Sequence, residues 1–107
     1  IVDDDQAQLE IRKLVFEQHG FEVETASNPF TAKVLIDEFT PDTVLMDLRL
    51  PDPGDGLDLI SALRGRARIV VLSGFTGDLE GQPHQEWVHA IVAKPARTEQ
   101  ILKLLLG

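Results

Sequence analysis

The sequence contains no cysteine, so disulfides, thiolate metal sites and cysteine nucleophiles are excluded together. No apolar run approaches the roughly 20 residues that a membrane-spanning helix needs, and no signal peptide is visible. Positive charge is scarce: 10 Lys and Arg stand against 18 Asp and Glu, a formal net charge of −8. Such a surface lacks the basic footprint that a phosphate backbone demands, which argues against direct nucleic-acid binding by this chain. The histidines have no ligand-like spacing. There is no phosphate-cradling glycine loop of the P-loop or dinucleotide type, no internal repeat and no low-complexity segment. The chain is expected to be soluble and cytoplasmic, without a membrane partner.

What is present suits one domain. The 107 residues are 43% apolar, enough for a single core and too apolar for disorder. The first residue is Ile1 rather than Met and the opening strand is short, so residues 1–107 are expected to be a single domain trimmed from a longer chain.

The elements alternate. Ile1-Val2 reads as the end of a first strand that runs into Asp3-Asp4-Asp5. A helix is expected from Gln6 to Gln18, with Leu9, Ile11, Leu14 and Val15 recurring at helical spacing and His19-Gly20 as its stop. Phe21 to Thr25 alternates with period two, a half-buried strand. Asn28-Pro29 opens a second helix through Phe39, with Ala32, Leu35, Ile36 and Phe39 on one face.

Thr43 to Met46 and Ile69 to Leu72 are apolar runs suited to buried strands, as is Ala90 to Ala93. Pro51 to Gly56 is expected to be a loop, followed by a short helix from Leu57 to Arg64 that Gly65 ends. Gly77, Gly81 and Pro83 make the stretch before Trp87 a poor helix, one irregular turn or two. Thr98 to Leu106 closes the chain as a helix. The order βαβαβαβαβα predicts an α/β fold, a parallel sheet covered by helices on both faces.

In such sheets, functional groups gather beyond the carboxyl ends of the strands. Those ends here carry Asp3-Asp4-Asp5, Asp47, Ser73-Gly74 and Lys94-Pro95. Each alone has an ordinary explanation: an acidic triplet before a helix caps it, an aspartate after a strand starts a turn, a lysine sits in solvent. Together they are harder to dismiss. Two carboxylates about 4 Å apart repel by about 4 kcal/mol at an effective dielectric of 20. A cation among Asp3, Asp4 and Asp47 would relieve that repulsion, and hard oxygen ligands favour Mg²⁺. A divalent cation and a lysine beside a carboxylate are also what phosphoryl transfer needs.

Val2-Asp3-Asp4-Asp5, the segment from Val44 through Asp47 to Pro51, Val70 to Gly74, and Val92-Ala93-Lys94-Pro95 resemble the receiver domain of two-component response regulators. The resemblance covers the whole chain, with the four motifs in order. It implies a flavodoxin-like, doubly wound five-stranded sheet of order 2-1-3-4-5. It implies that Asp47 is the nucleophile that becomes an aspartyl phosphate. Asp4 and Asp47 would ligate Mg²⁺ with the backbone carbonyl of Arg49, and Asp3 would act through metal-bound water. Lys94 would pair with the phosphoryl group across a cis Lys94-Pro95 bond, Ser73 would hydrogen-bond it, and Gly74 would leave it room. Arg49 and Phe75 would border the route of an attacking water. The implied partner is a sensor histidine kinase or a histidine phosphotransfer domain. The implied class is a signalling domain, not an enzyme, with monomer and weak dimer both open.

Some positions depart from the family pattern. Ile91 stands where an aromatic switch residue is common three positions before the lysine. Trp87 and His89 lie nearby, read as a different turn and the opposite strand phase, with Trp87 as a packing residue. The loop after Pro51 is one residue longer than usual, and the irregular region before Trp87 resembles receivers of hybrid histidine kinases more than those of DNA-binding regulators. Three rivals remain. A small Mg²⁺-dependent aspartyl-phosphate phosphohydrolase of the haloacid dehalogenase type would carry a second Asp at position 49, where Arg stands. A flavin-binding module would have no use for the acidic cluster. A receiver-like interaction domain that no longer signals by phosphorylation would not need every phosphorylation-site residue.

Overall fold

The computed structural model describes residues 1–48, 53–74, 83–94 and 96–106. Helix α1 (Gln6–Gln18) and helix α2 (Pro29–Phe39) precede strand β1 (Thr43–Asp47), and helix α3 (Pro53–Leu63) leads to strand β2 (Arg68–Ser73). A 3₁₀ turn (Pro83–Trp87), strand β3 (Ala90–Ala93) and helix α4 (Thr98–Leu106) follow. The three strands are parallel in the order β1-β2-β3, with Thr43 opposite Arg68 and Val70 opposite Ala90.

Two further segments continue the sheet beyond β1 without forming ladders. Val2 bridges Met46 on one side and Ala26 on the other, both parallel. The Phe21–Thr25 segment, expected as a strand, is not one. Its exposure alternates as expected, but its backbone bonding to the opening segment is brief: Ile1 donates to the Glu24 carbonyl, Ala26 donates to Ile1 and Asp3 donates to Ala26.

Strand pleat divides the core into two layers, since successive side chains point to opposite faces. Val44, Met46, Ile69 and Val71 join Ala32 and Ile36 of α2 and Leu59, Ile60 and Leu63 of α3. Leu45, Val70, Leu72 and Val92 join Phe16 of α1 and Ile101 and Leu102 of α4. Helices therefore cover both faces.

Caps fix where the helices begin. Asp5 closes α1, accepting from the backbone N–H groups of Ala7 and Gln8, and Asn28 closes α2 by accepting from Thr31 at 2.8 Å. Pro29 at the first turn has no N–H to leave unsatisfied. At the far end of α1, the His19 ring Nδ1 lies 2.9 Å from the Val15 carbonyl, the helix-terminal role expected of it.

Helix α3 starts four residues before the expected Leu57, taking in part of the predicted loop. Asp55 in the first turn complements its dipole. Gly56 weakens the helix intrinsically but is required sterically: a Cβ there would collide with the Leu48 backbone carbonyl. The helix stops before Gly65, whose φ of +74° suits a residue without a Cβ.

The expected inward face of α1 is also revised. Ile11 and Leu14 are exposed, and the buried stripe is Leu9, Arg12 and Phe16. On α2 the expected face holds, with Ala32 and Ile36 buried and Leu35 and Phe39 half-buried. Trp87 packs as expected, but not in the opposite phase to Ile91. It lies in the 3₁₀ turn, where strand parity has no meaning, and both side chains rest against the α2–α3 layer. The Arg64 guanidinium carbon lies 4.5 Å from the Trp87 ring centre.

Candidate functional site

Strand register brings the expected residues together. Val2 donates to the Leu45 carbonyl and Asp47 donates to the Val2 carbonyl, each at 2.8 Å, which sets Asp3 level with Asp47. Asp47 pairs with Leu72, and Ser73, one row further, pairs with Ala93. The Lys94 N–H donates to the Ser73 carbonyl at 2.9 Å, so Lys94 emerges at the same rim. Asp47 shares the pleat phase of Leu45, which belongs to the layer under α1 and α4.

Carboxylate oxygens of Asp3, Asp4 and Asp47 all lie within 4.8 Å of one another. Asp3 and Asp47 are buried and Asp4 is exposed, so the cluster opens to solvent at one corner. The Lys94 ammonium donates to Asp47 Oδ2 at 2.5 Å, with about a third of its side chain exposed. Ser73 is buried. Among the described residues, nothing lies within 4 Å of where a Gly74 Cβ would stand. Arg49, Phe75, Pro95 and the glycines at 77 and 81 lie outside the described residues, and with them the expected carbonyl ligand, the water route, the cis bond and the first two residues of the loop that starts at Pro51.

The acidic triplet splits by role. Asp5 faces the helix end and caps it, the ordinary function of such a residue. Asp3 turns inward, where its Oδ1 accepts the Asp5 N–H at 2.9 Å. Burial pushes the Asp3 carboxyl above its usual range, opposed by the Asp5 N–H and Lys94, reinforced by Asp47 and opposed again by Arg12. Three oxygen donors crowded this closely, with no His or Cys among them, fit a hard divalent cation such as Mg²⁺.

Arg12 is the residue that sequence reasoning missed. Its Nη1 lies 3.7 Å from Asp3 Oδ2, and its side chain is buried. The signal was available: a cation three residues after Leu9 and four before Phe16 stands on the apolar stripe of a capped helix. A cavity of about 440 Å³ opens elsewhere, between residues 20–24 and 39–45 toward the amino end of β1, and none of the described site residues lines it.

Comparison with known proteins agrees with this fold. The family profile of the response regulator receiver domain matches residues 1–106. The acid tolerance regulatory protein ActR of Rhizobium meliloti (strain 1021) is 37% identical over 111 residues, covering 99% of this chain and 56% of ActR. The chain spans about half the length of the curated relatives it matches. A CheY-like receiver domain from Methylobacillus flagellatus superposes with a TM-score of 0.84 at 30% identity, over 98% of this chain and 92% of that one. A response regulator from Burkholderia pseudomallei, solved with a phosphorylated aspartic acid, calcium ion and citrate, gives 0.82 at 29% identity, over 94% of this chain and 61% of that one. The fold is the CheY-like α/β fold with a parallel sheet.

Proposed function

The chain belongs to the response regulator receiver family, and from that premise we propose that it is a phospho-accepting domain whose acceptor is Asp47. One observation carries the reading: Asp3, Asp4 and Asp47 converge within 4.8 Å while Lys94 bonds Asp47 at 2.5 Å. That is a carboxylate nucleophile beside a cation site and a mobile counter-charge.

In the step proposed, an Asp47 carboxylate oxygen attacks the phosphorus of a phosphohistidine on a sensor kinase or phosphotransfer domain. The O–P bond forms as the P–N bond breaks, and its electron pair returns to the histidine nitrogen. Lys94 shifts from the carboxylate oxygen to the incoming phosphoryl oxygens, offsetting the charge added. Ser73, buried one row beyond Asp47 in the sheet register, would donate a hydrogen bond to the new group. Asp3, Asp4 and Asp47 would hold Mg²⁺, with the Arg49 carbonyl as a further ligand. Once bound, the cation supplies charge neutralisation for the crowded carboxylates and the transferring group.

The same reading extends to the remaining expectations. Val2, bridged to both Ala26 and Met46, supports a five-stranded order 2-1-3-4-5, in which β1 to β3 are the third to fifth strands. Residues 1–107 form one receiver domain of a cytoplasmic signalling protein, and this domain does not itself bind nucleic acid. The relative ActR is named a regulatory protein, which favours a response regulator over a hybrid kinase as the parent chain.

Incubation with a small phosphodonor and Mg²⁺ tests the proposal. Intact mass should show one added phosphoryl group in the wild-type chain and none in Asp47→Asn. An unmodified wild-type chain, beside a control receiver that reacts, would contradict it.

A further inference from the structure

Arg12 occupies a place where an aliphatic side chain would pack without difficulty. It is 5% exposed, between Leu9 and Phe16 on the buried stripe of α1. Its Nε and Nη1 are buried and make no hydrogen bond among the described residues. Its approach to Asp3 Oδ2, at 3.7 Å, is an ion pair without a hydrogen bond. A guanidinium this poorly satisfied is costly to bury, and replacement of such groups by apolar residues is often neutral or stabilising. Nothing in the packing of α1 explains the choice. The electrostatics of the rim do.

We propose that Arg12 is a positioning residue that serves the acidic site as a built-in counter-cation. It holds Asp3 in place and offsets the carboxylate repulsion before a divalent cation arrives, and the same charge weakens that cation's binding. The inference rests on the phosphoacceptor reading of the rim, and concerns how its metal site is tuned. Arg12 and Lys94 divide the work. Lys94 is partly exposed and bonded to Asp47, so it can change partners when a phosphoryl group appears. Arg12 is buried on the inner stripe of α1, beside Asp3. Its charge therefore acts on every state of the site, loaded or not. A fixed unit charge several ångströms from a divalent ion lowers affinity by about tenfold even at the dielectric of bulk water.

The test is a calorimetric titration with Mg²⁺ alone, without phosphodonor, on the full chain. Arg12→Met should bind Mg²⁺ about tenfold tighter than wild type, and its melting temperature should rise more on saturation. Arg12→Lys, which keeps the charge, should bind within about threefold of wild type. Adding Asp3→Asn to Arg12→Met should abolish the gain. Should Arg12→Met fail to fold without metal, Arg12→Gln is titrated with the same expectation. Binding by the neutral variant that is unchanged within about twofold, or weaker, overturns the role given to Arg12. A wild-type chain that does not bind Mg²⁺ contradicts the metal reading of the rim itself, so the two failures are distinct.

Discussion

Two cations meet the same acidic cluster from different elements, and they meet it differently. Lys94 follows β3, is partly exposed, and donates to Asp47 at 2.5 Å. Arg12 lies in α1, is buried, and approaches Asp3 at 3.7 Å with two buried nitrogens unbonded among the described residues. Under the function proposed, the close pair is the one that breaks, because its lysine has solvent to move through and a phosphoryl group to move to. The loose pair is built to stay, because its arginine has neither. Distance alone would rank them the other way round as structural contacts. A short bond at a reactive carboxylate marks a partner exchange, and a long one in the core marks a standing field.

That contrast can be broken in order of expected effect. Lys94→Ala should slow phosphorylation by a small phosphodonor about 100-fold, as the loss of one charge-stabilising donor typically does. Stopped-flow or mass-resolved kinetics reads this, and a fall of less than tenfold would demote Lys94 to a surface charge.

Asp3→Asn should raise stability without metal by about 1–2 kcal/mol, because it removes one of three crowded carboxylates, and should blunt stabilisation by Mg²⁺. The pH dependence has a definite sign. The folded-state Asp3 carboxyl titrates above its usual value, so the folded chain holds that proton more tightly than the unfolded chain. Metal-free stability attributable to Asp3 is therefore greatest at acid pH and falls as pH rises from the ordinary carboxylate value through the raised one. Urea melts across that window should show the slope in wild type and lose it in Asp3→Asn.

Asp5→Ala should cost about 1 kcal/mol through loss of the α1 cap while leaving Mg²⁺ affinity unchanged. Asp4→Ala in parallel should abolish the Mg²⁺ response. Smallest of all is the pair between Arg66 and Asp37. At 2.6 Å it is nearly as short as the lysine pair, yet both side chains are largely exposed. Asp37→Asn should change stability by less than about 1 kcal/mol, checked by chemical denaturation.

The sequence made most of this legible, for identifiable reasons. Asp5 and Gly20 bracket α1, and the Pro and Asn at the start of α2 are strong local signals, so those helices could be placed closely from the chain alone. The rim was legible because parallel strands deliver their last residues to one edge, whatever the details of packing. Which aspartate of the triplet does what was not legible. Three identical residues differ only in which way the chain faces as strand turns into helix, and that is a tertiary fact. Nor was the start of α3, because Gly54 and Gly56 argue against a helix locally, and only the Leu48 backbone explains the glycine at 56. Arg12 escaped because Ile11 and Leu14 offered a more apolar face. The cap at Asp5 and the burial of Leu9 and Phe16 rotate the helix so that the arginine goes in and those two stay out.

The central claim is that Asp47 carries the phosphoryl group, and locating the modification tests it most directly. The chain is phosphorylated with a small phosphodonor and Mg²⁺, reduced with borohydride to trap any acyl phosphate as its alcohol, digested, and sequenced by tandem mass spectrometry. The account predicts the reduced residue at position 47 and unmodified Asp3 and Asp4. Reduction at either of those aspartates, or a phosphoryl group on a histidine or serine with Asp47 intact, would contradict it.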